Sequence, residues 1–322
     1  MERHHSDEKA MTAVDKILVV IDPTAETQPA LERIARLPRP LTAQIMLLIC
    51  DSSPNLEAGY ALAPEAVAAA RASVLARHRR QLEALAAPLL AQGLDVHTDA
   101  RRDYPLHEGI IRKAIEWGAK LVVKDTHHHS ALQRSIFSNT DWNLIRQCPT
   151  QLLLVKPRSI GHVPYIVAAV DPLHPRDRDA SLDDQILTSA QELAHLFAGQ
   201  THVLHVFDVS PVIMASADGL MMPIALPIAE IAADLEKDHT EAVQALADKH
   251  GIPRERVHVL QGTARELLVS STDALRADVL VMGGISRSAL ERLFVGSTAE
   301  AVLDKLRCDV LIFKPADLTS LV

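Results

Sequence analysis

Three cysteines, Cys50, Cys148 and Cys308, are all that the 322 residues contain, and none of them forms a CxxC pair. An odd, scattered set supports neither a disulfide framework nor a closely spaced thiolate site, so three reduced thiols are expected. The chain also lacks a GxxxxGK[ST] loop, a GxSxG elbow and an HExxH helix. Those absences remove the assembled machinery of P-loop, serine and zinc hydrolases. No apolar run reaches the length of a membrane span, and residues 1–15 are polar and mixed in charge, without the apolar core of a signal peptide. The cytoplasm is the expected location. Basic residues are also short: 33 Lys and Arg stand against 41 Asp and Glu, for a net charge of −8, so no general affinity for nucleic acid or an anionic membrane is expected. The nearest thing to a basic patch, Arg77, Arg79 and Arg80 with His78 among them, reads as a solvated helix face.

What the chain does have is apolar material for two cores, with 48% hydrophobic residues against 23% charged. It also has a repeat. Ile17 to Pro23 reads ILVVIDP and Ile166 to Pro172 reads IVAAVDP, one domain length apart. The expected organisation is a polar leader over 1–15, a first domain over 16–157, a linker over 158–164 and a second domain over 165–316. So short a linker implies that the domains pack on each other.

Within each copy, β-branched runs alternate with segments of helical spacing. The first copy places strands at Ile17–Ile21, Ile45–Ile49, Asp95–Thr98 (the weakest), Leu121–Val123 and Leu152–Val155. Its helices span Gln28–Arg36, Pro64–Gln92 with Pro88 kinking the last turns, and Leu106–Trp117 stopped by Gly118. The second copy places strands at Ile166–Val170, Val203–Phe207, Val257–Leu260, Val279–Met282 and Val310–Phe313. Its helices span Asp183–Phe197, Ala229–His250, Thr263–Arg276 and Thr298–Leu306. Thr263-xx-Glu266 and Ser297-xx-Glu300 have the form of capping boxes, and Lys314-Pro315 echoes Lys156-Pro157. Regular alternation implies an α/β fold, with parallel strands joined by right-handed helical crossovers and helices on both faces of the sheet. If the order in each domain is 3-2-1-4-5, the reversal lies between the first and fourth strands, and Asp171 and Gly283 face one crevice.

The residues after the fourth strand of the second copy carry the chemistry. Gly283-Gly284-Ile285-Ser286 is followed, nine residues on, by Gly296-Ser297-Thr298. Gly283 can admit a close ligand, and Gly296 opens a helix whose unpaired N–H groups attract phosphate. Asp171 is an acceptor suited to a ribose hydroxyl or an adenine amino group. The bland reading of the same loop is a glycine-tolerant turn into a capped helix.

In these residues the chain resembles the universal stress protein family, whose nucleotide-binding members carry Gly, two residues, Gly, nine residues, Gly, then Ser or Thr. Gly283, Gly296 and Ser297 match the pattern, while Ser286 departs from it. Leu204-His205-Val206, the strand phrases ending in Asp22 and Asp171, and Thr140-Asp141-Trp142 before Cys148 extend the resemblance to the family's tandem, E-type members, over about residues 16 to 316. It implies two tandem flavodoxin-like (Rossmann-type) domains, each a five-stranded parallel sheet, and ATP as the cofactor in some members. Val206, Met282 and Gly283 would then line the adenine and ribose side, and Ser286, Gly296, Ser297 and Thr298 would hold phosphates.

The first copy has Asp125-Thr126-His127-His128-His129-Ser130 in place of the loop, and Ser138-Asn139-Thr140 where Gly296-Ser297-Thr298 stands. Asp125 would repel a phosphate there, so this copy is not expected to bind nucleotide in the same way. Ser138-xx-Asp141 can still cap its helix. The adjacent histidines lack the spacing of a zinc site and read as a solvated loop. Asp183 and Asp184 read as carboxylates complementing a helix dipole. Pro211 to Ile231, with Met214, Met221 and Met222, reads as a loop packed on the protein, or as a cover for an apolar ligand or partner. The functional expectation is a cytoplasmic stress-response protein that binds ATP as a regulatory ligand and is not an enzyme. The alternatives are a carrier or sensor of an amphiphilic metabolite, or a slow ATP hydrolase. Pairing of the two domains is expected, and association of two copies is left open.

Overall fold

A computed structural model describes residues 14–51, 64–126, 137–174, 181–210, 228–283 and 297–314. The first half runs β1 (Lys16–Val20), α1 (Pro29–Ala35), β2 (Gln44–Asp51), α2 (Pro64–Ala91), β3 (Asp95–Arg102), α3 (Leu106–Trp117), β4 (Leu121–Asp125), α4 (Asn139–Gln147) and β5 (Gln151–Val155). The second runs β6 (Tyr165–Ala169), α5 (Ser181–Phe197), β7 (Gln200–Phe207), α6 (Ile228–Lys249), β8 (Val257–Gln261), α7 (Ala264–Ala274), β9 (Val279–Gly283), α8 (Ser297–Val302) and β10 (Asp309–Phe313).

The β-branched runs become strands buried on both faces, because successive side chains point to opposite sides of a sheet. Ile17, Val19 and Ile21 enter one apolar cluster with residues of α1, α2, α5 and α6. Leu18 and Val20 enter the other with residues of α3, α4, α7 and α8. Both clusters run through both halves of the chain.

Each half keeps the order 3-2-1-4-5, but the two sheets are not separate. Their fifth strands pair antiparallel, Leu152 opposite Ile312, Leu153 opposite Leu311 and Leu154 opposite Val310. The result is one ten-stranded sheet, β3-β2-β1-β4-β5-β10-β9-β6-β7-β8. Joining fifth strands covers an edge that each domain would otherwise expose. The seam is the one antiparallel pairing among the described strands.

Polar groups lock the seam. Arg33, on α1, is 2% exposed and donates from Nε to Asp309 Oδ2 at 2.9 Å. Asp309 also accepts the Lys156 N–H at 2.8 Å. Burial raises the Asp309 carboxyl against the pull of Arg33. At the other end, the corresponding contact is neutral: Gln151 Nε2 donates to Ser189 Oγ at 3.1 Å. Lys314, at the end of β10, reaches into the first half and donates to Leu144 O at 2.9 Å and Cys148 O at 2.6 Å. Those carbonyls lie at the C-terminal end of α4; Leu144 O also accepts the Cys148 N–H at 3.0 Å, so Lys314 is its second donor. The chain between the halves is pinned by Asp278, which accepts from Arg158 Nη2, the Gly161 N–H and the Tyr165 N–H.

Several local expectations change. The third strand extends through Arg102, because it pairs along the whole of β2. α2 ends at Ala91, one residue before the expected Gln92. Thr263 makes no side-chain cap; its hydroxyl instead donates to Glu266 Oε2 at 3.1 Å. The last helix of the second half is shorter than its spacing implied, since Leu303–Lys305 tightens into a 3-10 turn. Gly118 does end α3 in the left-handed conformation, at φ 72°, where a side chain would be strained.

Candidate functional site

The chain reverses its strand order between β6 and β9, which pair in parallel through Ala168 and Val281. Neighbouring strands that send their connections to opposite sides leave a crevice beyond their carboxyl ends. Asp171 follows β6 and Gly283 ends β9, so both expected residues lie at that point. The Asp171 N–H donates to Asp183 Oδ1 at 3.1 Å, and Asp183 is fully buried in the first turn of α5. Asp183 therefore ties the end of β6 to the helix start. Its neighbour Asp184 pairs with Lys249 at 2.7 Å and His250 at 2.8 Å.

Met282 is 5% exposed, and Val206 is half-buried on β7, packed against the same apolar cluster. A Cβ added at Gly283 would meet Ile186 and Leu182 of α5 at 3.7 and 3.8 Å, ordinary contact distances. Ser297 and Thr298 open α8, the helix expected to face phosphate, while their side chains are outside the description. Ser286 and Gly296 lie outside the described residues, as do His127, His128, His129 and the stretch 211–227 of the methionine-rich segment.

A feature that the pattern of residues did not announce borders Asp171. His205, 1% exposed, has Nδ1 2.8 Å from Val170 O and Nε2 2.8 Å from His239 Nδ1. Because a carbonyl only accepts, the proton of neutral His205 sits on Nδ1, and Nε2 accepts from His239. His239 stacks on His205 at 4.9 Å and on Phe207 at 4.7 Å. Burial and the neighbouring His205 hold His239 below the usual imidazole range, against the pull of Asp171 and Asp238. Strand period puts His205 and Phe207 on one face, but His239 comes from a helix over thirty residues away, beyond the reach of local patterning.

The same register places the first half's equivalents. Ile21 N–H donates to Leu48 O at 2.8 Å as Val170 N–H donates to Leu204 O at 3.1 Å, so Asp22 corresponds to Asp171 and Cys50 to Val206. Val20 pairs with Lys124, which aligns Lys124 with Met282 and Asp125 with Gly283. Asp125 is 2% exposed and accepts the Ala30 N–H in the first turn of α1 at 2.5 Å. Burial pushes its carboxyl up to about 7, with the Ala30 N–H, Lys124 and Arg33 opposing and Asp309 reinforcing the rise. Asp141 fills the N-terminus of α4 in a reciprocal capping box with Ser138, and its other oxygen pairs with Lys124 Nζ at 2.8 Å.

Of the basic run on α2, Arg77, Arg79 and Arg80 are exposed. His78 instead turns inward, 4% exposed, with Nε2 4.0 Å from Asp51. All three cysteines are free and buried, and burial pushes the thiols of Cys50 and Cys308 up to about 12. Among the described residues no helix is long and apolar enough to cross a membrane.

The comparisons agree with this architecture along nearly the whole chain. The Universal stress protein family matches residues 13–156 and again 166–314. Universal stress protein E of Escherichia coli K12 is 28% identical over 311 residues, covering 95% of both chains. The Universal stress protein E homolog of Haemophilus influenzae is 26% identical over 312 residues, covering 93% of this chain and 97% of its own. The crystal structure of a functionally unknown protein from Pseudomonas aeruginosa PAO1 superposes with a TM-score of 0.73 at 27% identity, covering 96% of each chain. A universal stress protein from Archaeoglobus fulgidus shares the fold at a TM-score of 0.59 and 15% identity, over 95% of this chain and 98% of its own. With two matched units that fold alike and pair through their fifth strands, this chain belongs to the universal stress protein family, as a tandem member.

Proposed function

We propose that the protein is a cytoplasmic stress-response protein whose second half binds an adenine nucleotide, with ATP as the regulatory ligand, and which works by binding and not by catalysis. The observation that carries this reading is the contrast at the strand ends. In the first half the fourth strand ends in a carboxylate that already occupies a helix N-terminus. In the second half the same position is Gly283, with no side chain to compete. The unpaired N–H groups of a helix N-terminus attract phosphate. Gly296, Ser297 and Thr298 stand at the start of α8 in the order that the family resemblance gives to a phosphate loop, with Ser286 in the position that departs from it. Asp171, Val206 and Met282 would form the base and ribose side.

Calorimetric or fluorescence melting with ATP tests the reading. Ligand at one hundred times its dissociation constant stabilises the folded state by about 2.7 kcal/mol. Gly296→Arg is expected to abolish that shift, and Ser138→Arg at the corresponding point of the first half to leave it. A wild-type melt indifferent to millimolar ATP overturns the proposal, and stoichiometric release of ADP and phosphate over repeated turnovers overturns the non-catalytic part.

A second reading, a carrier of an amphiphilic metabolite, is favoured by one observation. An open cleft of about 970 Å³ lies between the halves, walled by Pro38, Pro40 and Leu41 from one and by Leu196, Ile252 and Pro253 from the other. Its volume is in the range of ligand sites. Mass spectrometry of the denatured, freshly purified protein separates the readings, since a retained amphiphile and a retained nucleotide differ in mass and in solubility.

A further inference from the structure

β8 is the outermost strand of the second half, and β7 is its partner in the sheet. Its Val257, His258, Val259 and Leu260 are each only half-buried, whereas β7 beside it is mostly buried. An edge strand held by one ladder and little burial is among the parts of a fold that open most readily. Any further fastening there has leverage.

His258 sits opposite Leu204, two residues along β7 from His202, so the two histidines share a face of the sheet. His202 Nδ1 lies 3.2 Å from His258 Nε2. Their rings stack 5.5 Å apart, and Tyr165 of β6 packs on His202 at 5.0 Å. Such a contact needs a proton on one nitrogen and a lone pair on the other. A single shared proton therefore joins the strands. A second proton points two N–H groups at each other and sets two cations side by side. Arg256, in the 3-10 turn Arg254–Arg256 that leads into β8, adds a third positive charge near His202. The other nitrogen of His202, Nε2, is buried and has no hydrogen-bond partner among the described residues. On the same face, α7 buries Leu268, Ser271 and Thr272, none of them charged. Asp278 accepts the Tyr165 N–H at 3.0 Å, and its carboxylate is shared with Arg158 and the Gly161 N–H. Burial holds both imidazoles below their usual range, and for His202 the neighbouring His258 and Arg256 deepen the fall to about 4.

We propose that the His202–His258 pair is an acid-sensitive latch on this edge of the sheet: one shared proton fastens β8 to β7, and protonation of both rings releases the strand. Because the folded state disfavours the charged rings, the edge is fully fastened above the ordinary imidazole range and loosens as pH falls toward about 4. The opposite edge, β3, is fastened by ion pairs to α3, Asp99 with Lys113 and Arg101 with Glu116. Acid then opens one end of the ten-stranded sheet before the other.

Hydrogen exchange on the full chain, corrected for intrinsic rates, reads the latch between pH 7 and pH 4. The opening equilibrium of residues 257–261 is expected to rise about a hundredfold, while that of β3 changes by less than about threefold. His202→Phe keeps a ring between Tyr165 and His258 with no proton to gain, and should hold the rise below about tenfold. His258→Gln removes the second cation and should act in the same direction, so that a folding defect in one variant leaves the other as the test. Acid opening confined to β8 and diminished in either variant supports the latch. Protection of residues 257–261 that ignores pH, an opening as large in both variants as in the wild type, or an equal opening of β3 overturns it. Nucleotide binding by the second half has no bearing on these outcomes.

Discussion

Corresponding positions of the two halves, Asp125 and Gly283, end the fourth strand of each unit, and what they do differs in kind. Asp125 turns inward and satisfies the Ala30 N–H. Gly283 has no side chain, and its strand leads on to the start of the last helix. The framework tolerates either solution because the strands themselves are held by apolar clusters shared across both halves. Duplication thus left the packing intact while the strand ends diverged, and the strand ends are where parallel sheets bind ligands.

The two ends of the seam diverge in the same way. One is held by the buried Arg33–Asp309 pair, the other by the neutral Gln151–Ser189 contact. Lys314 caps two carbonyls of α4. Lys156, its counterpart just after β5, has no hydrogen-bond partner for its buried Nζ among the described residues and lies over the Phe137 ring at 4.3 Å. The reason lies in the helix that each would cap: α4 keeps its form to Gln147, whereas α8 gives way to a 3-10 turn. Burial lowers both lysines to about 8.

The largest expected effect tests the seam. Arg33→Ala leaves Asp309 buried without its counter-charge and should cost about 3 to 5 kcal/mol in urea denaturation, whereas Gln151→Ala should cost about 1 kcal/mol. Equal losses would erase the contrast between the two ends. Next in size, Lys314→Met deprives two carbonyls of a charged donor and should cost about 2 kcal/mol. Lys156→Met exchanges an ammonium without a hydrogen-bond partner for an apolar chain of similar length. It should fall within about 1 kcal/mol of wild type; a loss matching that of Lys314→Met would show the two lysines to be equivalent after all.

The last effect depends on pH. Because the folded state raises Asp125 to about 7, the stability contributed by its proton is complete below the ordinary carboxylate range and is lost as pH rises to about 7. Asp125→Asn keeps an acceptor for Ala30 and removes the buried charge. It should therefore gain about 2 to 3 kcal/mol more at pH 8 than at pH 5, read from paired urea melts. A gain independent of pH would mean that Asp125 is already ionised throughout.

Much of this was legible in the sequence. Continuous β-branched runs marked the strands, since strands buried on both faces need apolar side chains at every position. Gly118 marked a helix end, and the Asp22 and Asp171 phrases marked the strand ends that flank each crevice. Less legible was anything that depends on residues far apart in the chain. Thr263-xx-Glu266 has the letters of a capping box, yet the hydroxyl turned to the carboxylate. His239 carried no local signal at all, because its partner His205 lies across a strand-to-helix connection. The echo of Lys156-Pro157 in Lys314-Pro315 was visible, but the opposite fates of the two lysines were not.

Local chemistry, acting within a few residues, was enough to determine the duplication and the alternation of strand and helix, while the order 3-2-1-4-5 entered only as a condition. Only the tertiary structure decided that the two sheets fuse through β5 and β10, that Arg33 meets Asp309 across the seam, and that the first crevice keeps a cavity after its helix ends are closed by carboxylates. The physical reason is that periodicity fixes which way a side chain faces, while the partner it meets there is set by packing between segments that the chain brings together from more than a hundred residues apart.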